Sequence, residues 1–116
     1  MAMKRGRGGV EYEDIKVGDG PTADRGVRVE VRYNLFLNRG EQIQENQLYS
    51  FRVGKRRVIP GLEYGVEGMR VGGERRLRVA PHLAYQDQAI PGQVPARAVL
   101  EFYVTLLRVD RDTEAQ

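Results

Sequence analysis

Cysteine and tryptophan are missing from this 116-residue sequence, and histidine occurs once, at His82. Without cysteine there is no disulfide, no thiolate nucleophile and no Cys-ligated zinc. One imidazole cannot make a His cluster around a metal, and a Ser-His-acid triad would have to be assembled on His82 alone. No Gly-x-Ser-x-Gly elbow and no Asp-rich calcium loop occurs; Gly18-Asp19-Gly20-Pro21 is a turn, since no Lys-Ser/Thr follows it. Neither a metal nor a cofactor is therefore expected. No apolar run approaches the ~18 residues of a membrane span. The basic start of the chain runs directly into Glu11-Tyr12-Glu13-Asp14 with no apolar stretch between, so the expectation is a cytoplasmic protein without a secretory signal.

Charge of one sign is also scarce. Lysine and arginine total 19 against 16 acidic residues, and Lys4, Arg5 and Arg7 account for the whole excess. The rest of the chain is neutral, a poor basis for many phosphate contacts, so no nucleic-acid partner is expected. Local basic groups do occur, at Lys55-Arg56-Arg57 and at Arg70, Arg75, Arg76 and Arg78; they read as solvated turns and the outer face of a strand. Residues 1–9 read as a flexible basic tail.

What is present is alternation. Val27, Val29, Val31, Tyr33, Leu35 and Leu37 are interleaved with polar residues, the period of a strand with one face in a core. Asn38-Arg39-Gly40-Glu41 is a turn in which Gly40 can take positive φ, and residues 41–44 can pair back. Tyr49, Phe51 and Val53 alternate again, as do Leu77 and Val79, then Leu100, Phe102, Val104 and Leu106. Between them, Ile59, Leu62, Val66 and Met69 follow helical spacing behind Pro60. Glycines at 61, 65 and 68 make this a weak helix that needs a sheet to pack on, and Gly61 and Gly65 permit close approach of another backbone. Glu63 and Glu67, one turn apart, read as a solvated face. The expected class is α+β, an antiparallel sheet wrapped around one short central helix.

Several ordered segments resemble the FKBP-type peptidyl-prolyl cis-trans isomerase family. The run from Val58-Ile59-Pro60-Gly61-Leu62 through Gly65-Val66 to Met69-Arg70-Val71-Gly72 is similar to that family's central-helix signature. Val29-Glu30-Val31-Arg32-Tyr33, Phe51-Arg52-Val53-Gly54, Pro81-His82-Leu83-Ala84-Tyr85 and Pro91-Gly92-Gln93-Val94-Pro95 with Leu100-Glu101-Phe102 match further segments in the family's order. The resemblance implies an FKBP-like domain over residues 10–109, with a flexible C-terminal tail at 110–116. It implies a peptidyl-prolyl isomerase that assists protein folding, a chaperone-type role. Expected partners are proline-containing peptides or proteins and macrolides of the rapamycin type, with the chain a monomer.

By the same resemblance, Tyr33, Phe51 and Phe102 wall an apolar pocket floored by Leu62. Val58 and Ile59 line its entrance, the Ile59 N–H donating to a substrate carbonyl. Tyr85 offers its hydroxyl, and Val94 covers the proline ring. Ile43 and Tyr49 stand where the family places further aromatic pocket residues. Tyr33, Ile59, Tyr85 and Phe102 are the expected catalytic set, with Ile43, Gln44, Tyr49, Phe51, Val58, Leu62 and Val94 binding substrate. Gln44 replaces a usual aspartate, Leu62 a common tryptophan and Ile90 a common histidine, and the Gln44-to-Phe51 segment is shorter than usual. Gln44 and the shortened segment support an alternative: a binding module that keeps the pocket with little turnover.

Overall fold

The computed structural model describes residues 3–54, 60–83 and 97–110. Its strands are β1 (Lys4–Arg5), β2 (Glu11–Lys16), β3 (Arg28–Leu37), β4 (Gln42–Arg52), β5 (Glu74–Val79) and β6 (Leu100–Asp110). One helix, α1 (Pro60–Val66), and single 3-10 turns at Arg7–Gly9 and Pro81–Leu83 complete the described elements. The strands form one antiparallel sheet in the order β1-β2-β5-β6-β3-β4. This is the α+β arrangement expected from the alternation.

Alternation fixes which face is buried. Val29, Val31, Leu35 and Leu37 of β3 are buried, as are Leu77 and Val79 of β5 and Leu100, Phe102, Val104 and Leu106 of β6. These side chains form one core with Leu62 and Val66 of the helix. The β3–β4 hairpin turns at Gly40, whose φ of 107° is the left-handed conformation expected there.

A seven-residue helix with two internal glycines is too short to persist by itself. It exists because those glycines let it settle onto β5. A Cβ on Gly61 would lie 2.3 Å from Val79 Cγ1, and one on Gly65 2.4 Å from Leu77 Cδ1. The close neighbour is thus a pair of core side chains, where another backbone was expected.

Four further expectations are corrected. The 41–53 segment is not two strand pieces: β4 is continuous, with register irregularities against β3 around Leu35. Asn46 takes a φ of 55° there, and its N–H donates to Asn34 Oδ1 at 2.8 Å. An edge strand tolerates such a bulge because only one neighbour must match it. Glu63 is not solvated but 3% exposed, and Glu67 pairs with Arg7 at 3.1 Å. Arg75 is buried rather than solvated, sharing the inward face of β5 with Leu77 and Val79. Arg76 and Arg78 do occupy the outer face, where Glu101 lies within 3.2 Å and 3.5 Å of them. Burial works against the Arg76 charge, but Glu101 outweighs it, and the guanidinium pKa is raised. Finally, Lys4–Arg5 within the expected tail pair with β2 as a sheet edge, and the Arg7 guanidinium grips both Glu67 oxygens.

Candidate functional site

The inward face of β3 and β6 brings two of the expected wall residues together. The Tyr33 and Phe102 rings meet edge to face with centroids 5.4 Å apart, a favourable quadrupole geometry. The Tyr33 hydroxyl donates to Gln44 Oε1 at 3.0 Å, across the β3–β4 pairing. Gln44 therefore accepts the bond that a carboxylate would accept at this position, without its charge. Phe51, on β4 opposite Val29, is 2% exposed and sits 6.0 Å from the Tyr49 ring, tilted by 33°. Tyr49 itself is 41% exposed, at the outer rim of the edge strand.

Leu62 comes to the same core from the helix and is 4% exposed. Tyr33 and Ile43 are partly buried and pack against that core. Thus Tyr33, Ile43, Phe51, Leu62 and Phe102 meet in one core, with Gln44 bonded to Tyr33 and Tyr49 at the margin. Val58, Ile59, Tyr85 and Val94 lie outside the described residues. Among the described residues no group of three or more His, Asp or Glu could hold a metal ion. No helix there is long and apolar enough to cross a membrane.

Two charged residues whose spacing suggests solvated positions are instead buried and hold the helix in place. The Glu63 carboxylate accepts from the Gly54 N–H at 2.6 Å, tying the helix to the end of β4. Arg75 Nη1 donates to the carbonyls of Gly65 and Glu67 at 3.0 and 3.3 Å, satisfying acceptors that a helix end leaves open. Its Nε donates to Asp14 at 2.7 Å, and its guanidinium lies 4.2 Å from the centre of the Tyr12 ring. The parity of Arg75 with Leu77 and Val79 was a usable signal. For Glu63 no comparable signal exists in the sequence.

A model of the FKBP-type peptidyl-prolyl cis-trans isomerase family matches residues 20–107. The chain belongs to this family. The FKBP-type sequences it resembles include "FK506-binding protein 4" of Chaetomium thermophilum, 45% identical over 104 residues, which are 87% of this chain and 21% of that protein. "Peptidyl-prolyl cis-trans isomerase" of Saccharomyces cerevisiae is 44% identical over 103 residues, 86% of this chain and 25% of that one. The chain thus spans about a fifth to a quarter of the length of these curated relatives. Among solved FKBP-type folds, AtFKBP13 aligns with a TM-score of 0.83 at 27% identity, covering 93% of this chain and 98% of that one. A peptidyl-prolyl cis-trans isomerase from Pseudomonas syringae aligns at 0.82 and 28%, covering 95% and 82%.

Proposed function

We propose that this chain is a peptidyl-prolyl cis-trans isomerase whose pocket is the apolar face built on Tyr33, Phe51, Leu62 and Phe102. The observation that carries the reading is the edge-to-face Tyr33–Phe102 pair over a buried apolar floor, in a chain of this family. Ile43, Gln44 and Tyr49 belong to the proposed substrate surface. The roles of Val58, Ile59, Tyr85 and Val94 are carried by the family resemblance of their segments.

The chemistry needs neither acid nor base. Rotation about an X–Pro bond meets a barrier of ~18–20 kcal/mol because resonance resists the twist. The twisted amide has lost that resonance and much of its charge separation, so it is less polar than either planar form. An apolar, water-poor surface therefore favours the twisted state over the planar ones, and each ~1.4 kcal/mol of that preference is tenfold in rate. In this proposal the Ile59 N–H and the Tyr85 hydroxyl hold the flanking backbone while the bond turns.

Proline-containing chains are the proposed substrates and rapamycin-type macrolides proposed ligands, with help in protein folding the proposed role. The domain is proposed to run over residues 10–109 and to act as a monomer, and its cysteine-free composition suits a cytoplasmic setting. Exchange NMR on a Leu-Pro peptide tests the reading, with faster cis–trans exchange expected. No acceleration at high protein concentration would leave a binding module with little turnover, the reading supported by Gln44 and the short Gln44-to-Phe51 segment.

A further inference from the structure

The two edges of the sheet are unlike. One is β1, two residues long and both basic, a short charged end that discourages pairing. The other is β4, eleven residues long, and its two halves differ. In the first half the Gln42 side-chain amide donates to the Gln44 carbonyl at 3.4 Å, and the Gln47 amide to the Glu45 carbonyl at 3.0 Å. Asn46, with its φ of 55° and its N–H on Asn34, bulges the strand at the same place. Self-bonded carbonyls and a bulge both hinder an added strand.

The second half has none of this protection. The Val53 N–H donates to the Val27 carbonyl, and Leu106, which faces Val31 in the β3–β6 pairing, bonds instead to Gly72 and Gly73 on its far side. Both observations put Val29–Phe51 and Val31–Tyr49 in the bonded phase of the β3–β4 ladder. The alternate residues, Leu48 and Ser50, therefore turn their N–H and C=O groups out of the sheet. Among the described residues nothing donates to these groups or accepts from them. Leu48, 57% exposed, and Tyr49, 41% exposed, stand side by side there as bare apolar surface. Tyr49 links this edge to the proposed pocket. Its ring lies 6.0 Å from that of Phe51, a wall residue of the same strand, and it stands between the two open residues. A chain leaving the apolar wall over Tyr49 meets unpaired backbone donors and acceptors at once.

We propose that the open half of the β4 edge, at Leu48 and Ser50, takes the extended residues preceding the proline of a bound substrate as an added strand. The proposal rests on the isomerase reading and names how that pocket holds its substrate chain. A residue before proline is pushed out of the helical region into extended backbone, so the flank of an X–Pro bond is already shaped as a strand. Main-chain pairing of this kind supplies affinity with little regard for sequence, and alternate side chains set the preference. Here the flanking side chains fall beside Leu48 on one face and Tyr49 on the other, which favours apolar or β-branched residues. A second copy of this chain is the competing occupant, and the experiment separates the two.

The experiment follows amide hydrogen exchange at Leu48 and Ser50 by NMR with two peptides, Leu-Pro preceded by a Thr-Val-Thr flank and Leu-Pro alone. The flanked peptide at saturation should slow exchange of both amides by roughly tenfold, and the short peptide should not. N-methylation within the flank removes its backbone donors and should raise KM about fivefold with kcat unchanged. Ser50→Pro deletes an outward N–H while leaving the β3 ladder intact, as an edge strand allows. It should bring the flanked peptide to the KM of the short one and leave turnover of the short one as it was. Exchange on the native chain decides the question where that variant fails to fold. Unchanged exchange at Leu48 and Ser50 with the pocket saturated, or equal KM for methylated and unmethylated flanks, would overturn the proposal. So would protection that grows with protein concentration in the absence of peptide, which gives the edge to a second copy. Protection by the flanked peptide with no turnover defeats the isomerase reading and leaves the edge standing; turnover with no protection does the reverse.

Discussion

The Glu63 carboxylate, at the middle of the helix, accepts a hydrogen bond from the Gly54 backbone N–H at 2.6 Å, and Glu63 is only 3% exposed. It joins the helix that carries Leu62 to the strand end that follows Phe51, so floor and wall of the proposed pocket share one tie. Glu63→Ala should leave the part-buried Gly54 donor without this acceptor and cost about 1–3 kcal/mol. Glu63→Gln retains an acceptor oxygen and should cost less than half as much. Urea unfolding midpoints of the two variants check the order; equal losses would mean that the space, and not the hydrogen bond, is what matters.

Gly65→Ala is expected to destabilise even though alanine is the better helix former by about 1 kcal/mol. The added methyl would meet Leu77 Cδ1 at 2.4 Å in a fully buried contact, and overpacking of this kind costs ~1–3 kcal/mol. Combining it with Leu77→Ala removes the opposing atoms. The double variant should be more stable than the sum of the singles by more than about 0.5 kcal/mol. Additive thermal unfolding data would show that the helix does not bear on Leu77.

Tyr33→Phe removes the donor to Gln44 and should cost about 1 kcal/mol, with a fall in kcat/KM because the ring loses its anchor. Gln44→Asp offers a charged acceptor, and charge-assisted bonds are roughly twice as strong. In that background Tyr33→Phe should cost more than it does in the native chain. A double-mutant cycle on unfolding and on isomerisation reads both effects.

Leu62→Trp tests the floor directly. An additional ~40 Å² of apolar contact under a proline ring or a macrolide is worth about 1 kcal/mol, close to fivefold in affinity. Calorimetric titration with rapamycin should show that gain with a small change in melting temperature. If tryptophan instead overpacks the core, affinity stays put while stability falls by ~1–3 kcal/mol. That pair of results would remove Leu62 from the site.

Much of this architecture is legible in the chain because the strand period is two and every inward position of β6, from Leu100 to Leu106, is apolar. The spacing of Leu62 and Val66 behind Pro60 marks the helix, and the glycines at 61 and 65 announce a close neighbour without saying which. The absence of cysteine and the single histidine exclude most covalent and metal chemistry before any geometry is known. Local rules reach this far because propensity and periodicity concern neighbours in sequence.

Only the tertiary structure decided what the charged residues do. Glu63 reads as solvated from its spacing to Glu67, yet Gly54, nine residues earlier, turns it into a buried acceptor. Arg75 and Asp14 are 61 residues apart in sequence and 2.7 Å apart in space. Lys4–Arg5 become a sheet edge because β2 offers an open ladder, and the meeting of Tyr33 with Phe102 depends on β3 pairing with β6 across the chain. A charge is stable wherever its partner waits, in water or in the core, and long-range strand order alone determines where that partner stands.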